Sequence, residues 1–466
     1  MKILVLFFIS ITTFATPYSF PEDFFFAVAN APGHVEDQLD DMWLDFAKNG
    51  HVRAYHNQDS PEKRLQFWTK PEVEIKLAKE LGIQVIRIGI DWNRIEPQEG
   101  QFDEQALNRY LEIFKLIKEN DLKIMLTLFH HSEPKWMLKK KSWLYPKAKT
   151  RFYEFSKIIL ERAHPYIDYL ITFNEANVYL LLGMVDGLWP SPFESGSYFR
   201  FLNLGLYKGS YYKAFDQIIL AHKSIYQLAK SYKIPTGVAH NFAKYKADNI
   251  LLSPMARIFN STVNFEFIDE IKDHQDFIGV NYYGKEFIGF KGPSIRDDRE
   301  YSEAGRSISP QSFDKILNEI QLRYNNTPVI ITENGIADNE DYLRPSYLLS
   351  HLKVLSERIK LGQKVLGYVH WTLTDNWEWA DGYCPKFGLV SVDRKTMKRT
   401  KRYSFNLYRQ IISKKEIDDF QINKEWSQLK SHWNSKRSFC RSLKDGKTPL
   451  DEALLIPYKK VDWKNQ

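Results

Sequence analysis

Two glutamates carry the strongest chemical signal in this sequence. Glu175 closes the run Ile171-Thr172-Phe173-Asn174-Glu175, and Glu333 lies in Ile330-Ile331-Thr332-Glu333-Asn334-Gly335. Each ends an apolar, β-branched, strand-like segment in a carboxylate beside a carboxamide. Two such carboxylates suit glycoside cleavage, where one attacks the anomeric carbon and the other protonates the leaving oxygen. Retaining enzymes hold that pair about 5–5.5 Å apart. The acid must keep its proton near neutral pH, so its surroundings should raise its pKa. A lone Glu is usually a solvated or salt-bridged surface residue; two Asn/Glu strand ends in one chain are harder to read that way.

Other residues fit the same chemistry. Arg87, inside an apolar run, would be a buried cation; it is either a structural ion pair or the charge that keeps a nucleophilic carboxylate ionised. His130, in Leu128-Phe129-His130-His131-Ser132, could bond a sugar hydroxyl, although a lone His is more often structural. Asn281-Tyr282-Tyr283 supplies amide and hydroxyl donors. Residues 367–383 hold Trp371, Trp377 and Trp379 around Glu378. Aromatic faces beside a carboxylate match the apolar face and polar edge of a sugar. The two cysteines, Cys384 and Cys440, have no CxxC spacing and do not form a zinc motif. Two free structural thiols are the simpler reading, with a disulfide as the alternative. No metal or organic cofactor is required.

These residues need strands to hold them. Apolar strand-like runs fall at 24–29, 85–90, 123–129, 169–173, 236–239, 277–280, 329–332 and 365–371. Helix-periodic stretches separate most of them, at 71–81, 105–120, 150–163, 211–232, 310–324 and 342–361; the helix between the fifth and sixth strands is the least distinct. Strand–helix alternation predicts a parallel sheet with both faces covered, and eight strands in series predict closure into a (β/α)8 TIM barrel. Arg87 would then point at the barrel centre. Insertions at 51–68 and 183–209 would lie at the C-terminal mouth, where barrels build their sites. The reading is one catalytic domain over 16–413, followed by a basic C-terminal extension over 414–466 without clear periodicity.

The 466 residues are 43% hydrophobic, 26% charged and 15% aromatic, with 12 Trp and a net charge of +7. No basic stripe with interleaved aromatics points to nucleic acid. The mild positive excess is compatible with association with an anionic membrane surface. Lys2, the apolar run 3–9 and Thr13-Phe14-Ala15 make residues 1–15 read as a signal peptide or short membrane anchor. A secreted, periplasmic or membrane-associated location follows. The alternative is a frayed or buried N-terminal segment. Nothing sets an oligomeric state.

The motifs together resemble glycoside hydrolase family 1, the β-glucosidase family, over about residues 24–403. The resemblance rests on Thr172-Phe173-Asn174-Glu175, Asn281-Tyr282-Tyr283, Thr332-Glu333-Asn334-Gly335, and residues 375–383 running into Phe387-Gly388-Leu389-Val390. It implies Glu175 as acid/base and Glu333 as nucleophile. It implies His130, Asn174, Trp371, Glu378, Trp379 and Phe387 around the sugar, with Arg87 and Tyr283 supporting the nucleophile. Two positions depart from the family pattern: Ala176 stands where Pro usually follows the acid/base, and His34 where a sugar-binding Gln usually ends the first strand. Residues 32–37, 39–41, 129–132 and 301–306 look like the plant Sensitive-to-Freezing branch, galactolipid:galactolipid galactosyltransferases of a plastid membrane. The plant proteins carry a longer insertion before the segment matching 54–57.

Three functions follow. The first is a retaining β-glycosidase acting on β-glucosides or β-galactosides. The second is a transglycosidase with the same pair, in which a lipid-borne sugar replaces water; the substrate would be a β-glycoside or a glycolipid. The third, from another class, is an inactive carbohydrate-binding protein, and retention of both carboxylates argues against it.

Overall fold

The computed structural model describes residues 17–52, 59–185, 187–190, 209–290, 292–294, 300–325, 327–437, 439–440, 456–457 and 463. The expected leader (1–15), the segment 54–57, most of the 183–209 insertion and most of the tail beyond 440 lie outside the described residues.

Eight parallel strands pair in chain order: β1 (Phe25–Ala29), β2 (Val85–Gly89), β3 (Lys123–Phe129), β4 (Ile167–Asn174), β5 (Thr236–Asn241), β6 (Phe277–Tyr282), β7 (Val329–Asn334) and β8 (Val365–His370). β8 returns to pair with β1 and closes the barrel. All eight expected strands are therefore present in the expected order. Around them run α1 (Pro71–Leu81), α2 (Glu104–Glu119), α3 (Ala148–Ala163), α4 (Ser210–Ser231), α5 (Ser253–Ser261), α6 (Pro310–Arg323), α7 (Arg344–Lys360) and α8 (Tyr403–Lys414). Local chemistry sets their ends. Pro71 opens α1, Gly82 at φ 84° closes it, and the Asp103 carboxylate caps α2 by accepting from the Ala106 amide.

Strand alternation divides the apolar residues into two cores. Phe26, Val28, Ile86, Ile88, Leu126 and Leu128 face the helices. Phe25, Ala27, Ala29, Val85, Met125, Ile171, Phe277 and Val369 fill the barrel interior. Phe25, Tyr169 and Phe277 form its aromatic floor, with ring centroids 5.5 and 6.2 Å apart. Continuing the same alternation two residues past Val85 and Met125 turns Arg87 and Thr127 inward, where the Arg87 Nε donates to Thr127 Oγ1 at 3.2 Å. A cation inside an apolar barrel is costly unless it is paired and hydrogen-bonded; the site above the floor gives each of its three nitrogens a partner.

Three elements differ from the sequence reading, the first being α8, which lies beyond the last expected helical stretch. The indistinct fifth helix is broken into α5, a wider turn at Thr262–Glu266 and a short helix at Phe267–Ile271. Its face carries amides instead of a full apolar stripe. Asn260 and Asn264 each exchange hydrogen bonds with the backbone of the segment after β5, at Tyr245 and Ala243. The tail, expected to lack periodicity, forms α9 (Asp419–Ser431), with a capping box between Asp418 and Gln421. Only Ile422, Trp426 and Leu429, with Glu425, are buried, a stripe too narrow to stand out in a polar sequence. Trp426 packs edge-on against Trp463, their ring centroids 5.2 Å apart. Cys384 and Cys440 are joined in a disulfide, which replaces the reading of two free thiols. Partners 56 residues apart in sequence leave no spacing signal.

Candidate active site

β4 and β7 each lose register just before their carboxylates. The pairing of β4 with β5 shifts between Ile171 and Asn174, and that of β7 with β6 between Ile331 and Glu333. Such irregularities re-aim side chains. Glu175 follows with φ 45°, in the left-handed region, and its amide donates to the Ala239 carbonyl at 2.7 Å. Ala176 then takes the first helical position of Ala176–Leu180, which Pro also fits. Both glutamates are buried.

Arg87 joins the two strand ends. Its Nη1 donates to Glu333 Oε1 at 2.6 Å and to the Thr332 carbonyl at 3.0 Å, and its Nη2 donates to Asn174 Oδ1 at 2.7 Å. Tyr283 donates to the other Glu333 oxygen, Oε2, at 2.6 Å. Asn281 donates to Asn174 Oδ1 at 3.0 Å and to Glu175 Oε1 at 2.9 Å, while its own oxygen accepts from Thr332 Oγ1 at 2.7 Å. Arg87, Asn174, Asn281, Tyr283, Glu175 and Glu333 thus form one connected network.

The expected sugar-binding residues surround it. His130 Nε2 accepts from Asn174 Nδ2 at 2.9 Å. The Trp371 indole donates to Glu378 Oε1 at 3.1 Å. His34 lies edge-on to Trp379 (4.0 Å between ring centroids), Trp371 (5.0 Å) and His130 (5.9 Å). Phe387 meets the Tyr283 ring at 5.9 Å. Gly33 lies beneath Trp379, where a Cβ would come within 2.7 Å of the indole, so a side chain there would displace the ring. Trp377 is a correction. It is fully buried against Trp43 and Trp379, and its carbonyl bonds to His34 Nδ1. Two of the three expected platform tryptophans reach the site, and the third is core.

The loop holding Trp379 and Phe387 is pinned twice. Asp375 accepts two bonds of 2.9 Å from Arg402 and one from the Gly388 amide. The disulfide ties Cys384 to the tail, where the Cys440 amide donates to the Glu303 carbonyl. Below, Arg64 makes two 2.8 Å bonds to Asp41, and Arg94 and Tyr110 hold Glu36, securing the turn that presents His34. The segment 32–41 is therefore largely scaffold.

Four neighbours escaped the sequence reading. Asn241 donates to Glu175 Oε1 at 2.8 Å, His131 Nε2 lies 3.6 Å from Glu175 Oε2, Trp189 contacts His131, and the Arg306 guanidinium lies over the Tyr283 ring. Extending the fifth strand by two residues would have found Asn241.

Burial pushes Glu333 up to about 7; Arg87 opposes this, the Glu175 charge adds to it, and Tyr283 lowers it. Burial also pushes Glu175 up, but His131, Asn241 and Arg306 draw it down to about 2. These directions are the reverse of those expected for a nucleophile and an acid. The physical reason lies in His131. Its pull on Glu175 requires a protonated imidazole, and burial holds His131 below its usual value. With His131 neutral, its pull on Glu175 is lost, and the upward push of burial is opposed by Asn241 and Arg306. A proton on Glu175 would remove its repulsion of Glu333, whose anion Arg87 and Tyr283 favour. Burial also keeps Glu378 well above the carboxylate range and keeps His34 and His130 neutral.

Among the described residues, no group of three His, Cys, Asp or Glu could hold a metal ion. A cavity of about 700 Å³ lies apart from this network, lined by Tyr342, Tyr403, Glu425 and His432. It contains neither Glu175 nor Glu333.

The Glycosyl hydrolase family 1 profile matches residues 16–250 and 253–417. The chain belongs to this family. It is 34% identical to the galactolipid galactosyltransferase SFR2, chloroplastic, of Arabidopsis thaliana, over 95% of this chain and 82% of that protein. It is 28% identical to a β-galactosidase of Saccharolobus solfataricus, over 86% of this chain and 96% of that one. Among solved structures, a β-glycosidase from Pyrococcus horikoshii superposes with a TM-score of 0.78 at 27% identity, covering 88% of this chain and 98% of that chain. Family membership makes this an enzyme of glycoside chemistry and sets aside the reading as an inactive binding protein.

Proposed function

We propose that the protein cleaves β-glucosides or β-galactosides with retention, through a covalent glycosyl-enzyme. The observation that carries this is the Arg87–Asn174–Asn281 network, which binds the ends of β4 and β7 into one site with a cation on Glu333 and neutral amides on Glu175. Glu333 attacks the anomeric carbon. The bond to the leaving oxygen breaks, and that oxygen takes the Glu175 proton. In the second half, Glu175 removes a proton from an incoming hydroxyl, whose oxygen displaces Glu333. His34, His130, Trp371, Glu378, Trp379 and Phe387 hold the sugar.

The likeness to a galactolipid galactosyltransferase favours a second reading, in which the incoming hydroxyl belongs to another galactolipid. Residue roles are the same in both. The disulfide fits a compartment outside the reducing cytosol, in keeping with the leader read at 1–15. We read 414–466 as a C-terminal extension; of its described residues, Trp426 and Leu429 of α9 pack against Leu343 and Tyr347, and Cys440 bridges to Cys384. Among the described residues no helix is long and apolar enough to cross a membrane.

Incubation with aryl β-glucosides, aryl β-galactosides and galactolipid micelles, with product analysis, tests this. Free sugar supports hydrolysis, and oligogalactolipid supports transfer. No turnover of any of the three would end both readings.

A further inference from the structure

Glu175 has a neighbour that Glu333 lacks, a second imidazole. His131 leaves the end of β3 with φ 59°, in the left-handed region. Trp43 Nε1 donates to its carbonyl at 2.6 Å. Its ring lies edge-on to Trp189 at 4.7 Å, near-parallel to Tyr179 at 6.2 Å and beside Trp379 at 5.5 Å. The ring is thus held from three sides, with Nε2 facing Glu175 Oε2 at 3.6 Å and Asn174 Nδ2 at 3.3 Å.

The surrounding amides determine where a proton can sit. Asn174 Oδ1 already accepts from Arg87 and Asn281, so Asn174 Nδ2 is the donor toward both His130 and His131. His131 Nε2 therefore presents a lone pair. Glu175 Oε1 accepts from Asn241 and Asn281, which leaves Oε2 as the oxygen that carries the carboxyl proton. That oxygen faces the His131 lone pair.

We propose that His131 is a positioning residue for Glu175: its neutral Nε2, 3.6 Å from Oε2, turns a lone pair toward the carboxyl proton and keeps that proton on Oε2 until a glycosidic oxygen arrives to take it. The proton lies on Oε2 and points toward Nε2, whose lone pair also receives the Asn174 Nδ2–H; a proton on Nε2 would face that donor. A second basic site can only tighten the hold on that proton. Arg87 disfavours a proton on His131 and Arg306 disfavours one on Glu175. His240 also feels the Glu175 charge, but its Nε2 is engaged with the Val263 carbonyl at 3.0 Å. The downward push of burial on His131 agrees with a neutral resting imidazole.

The inference rests on Glu175 being the acid/base, and the two can fail separately. The experiment is the pH dependence of kcat/KM for a β-glycoside with a poor leaving group, in wild type, His131→Asn, His131→Gln and His131→Phe. Asn tolerates the left-handed backbone, so it guards against a folding failure in the Phe variant. In Asn and Phe the basic limb should move down by about one pH unit, a roughly tenfold loss at alkaline pH. Gln, whose side-chain oxygen can accept from Oε2, should restore part of the shift. For a nitrophenyl glycoside, whose departure needs little acid, the variants should differ little. A uniform loss across pH, with the basic limb unmoved in Asn and Phe, overturns the pairing. If Glu175→Gln keeps full activity on the poor leaving group, the acid/base assignment itself falls.

Discussion

The ends of β4 and β7 carry the same residue pair in opposite order, Asn174-Glu175 and Glu333-Asn334, and the order changes what each amide does. Asn174 turns into the site, where it accepts from Arg87 and Asn281. Asn334 turns away and donates to the Tyr282 carbonyl and the Tyr347 hydroxyl, so it fastens β7 to β6 and α7. The two carboxylates differ accordingly. Glu333 has a guanidinium and a phenol on its two oxygens. Glu175 has two neutral amides on one oxygen and an imidazole near the other. Opposite charge favours an anion, whereas neutral donors on one oxygen leave the other free to hold a proton. Under the proposed roles, identical side chains acquire opposite tasks from the groups that touch them.

The largest test of that asymmetry exchanges leaving groups. Glu175→Gln should slow a glycoside with a poor leaving group by about 10²–10⁴-fold, the usual worth of general acid catalysis. It should cost far less for a nitrophenyl glycoside. Glu333→Gln should abolish turnover of both. Steady-state kinetics on the two substrates checks this, and equal losses in both variants would erase the distinction.

Next in size is the cation. Arg87→Met removes the charge from Glu333 and one donor from Asn174 at once. The expected loss in kcat/KM is about 10²–10³-fold, as for other preorganised donors in a site. The acid limb should also move to higher pH. Activity on that limb falls as Glu333 takes up a proton, and Glu333 without Arg87 keeps only Tyr283 against the upward push of burial. An acid limb in its original place would show that Arg87 serves only to hold the strands.

The smallest effect on chemistry should come from the bridge. Cys440→Ser opens a link spanning 56 residues and should lower stability by about 4 kcal/mol on a chain-entropy account. Thermal melting should register that loss while both limbs of the pH profile stay fixed. A shifted limb would mean that the tail helps to position the carboxylates.

The barrel was legible because each strand is a short apolar run rich in β-branched residues, and helices with clear amphipathic faces separate them. The polar ends of the strands were less so. The apolar signal stops where the mouth begins, so it predicts the fifth strand only to 239, two residues short of Asn241 at its observed end. Glu175 and Glu333 were legible only because each stands beside a carboxamide at the end of such a run. Trp377 could not be told from Trp379 by type or spacing, since one packs inward and the other against His34. The broken helix after β5 and the disulfide were hidden for a common reason: both depend on partners distant in sequence. The reversed pKa directions were beyond reach as well, because they turn on the buried state of His131.

The central claim is that Glu333 becomes the sugar-bearing residue. Trapping with a 2-deoxy-2-fluoro-β-glycoside, followed by proteolysis and peptide mass mapping, tests it most directly. The account predicts one added sugar per chain, on the peptide carrying Glu333, and none on that carrying Glu175. A label on Glu175, or an inverted product with no label, would contradict it.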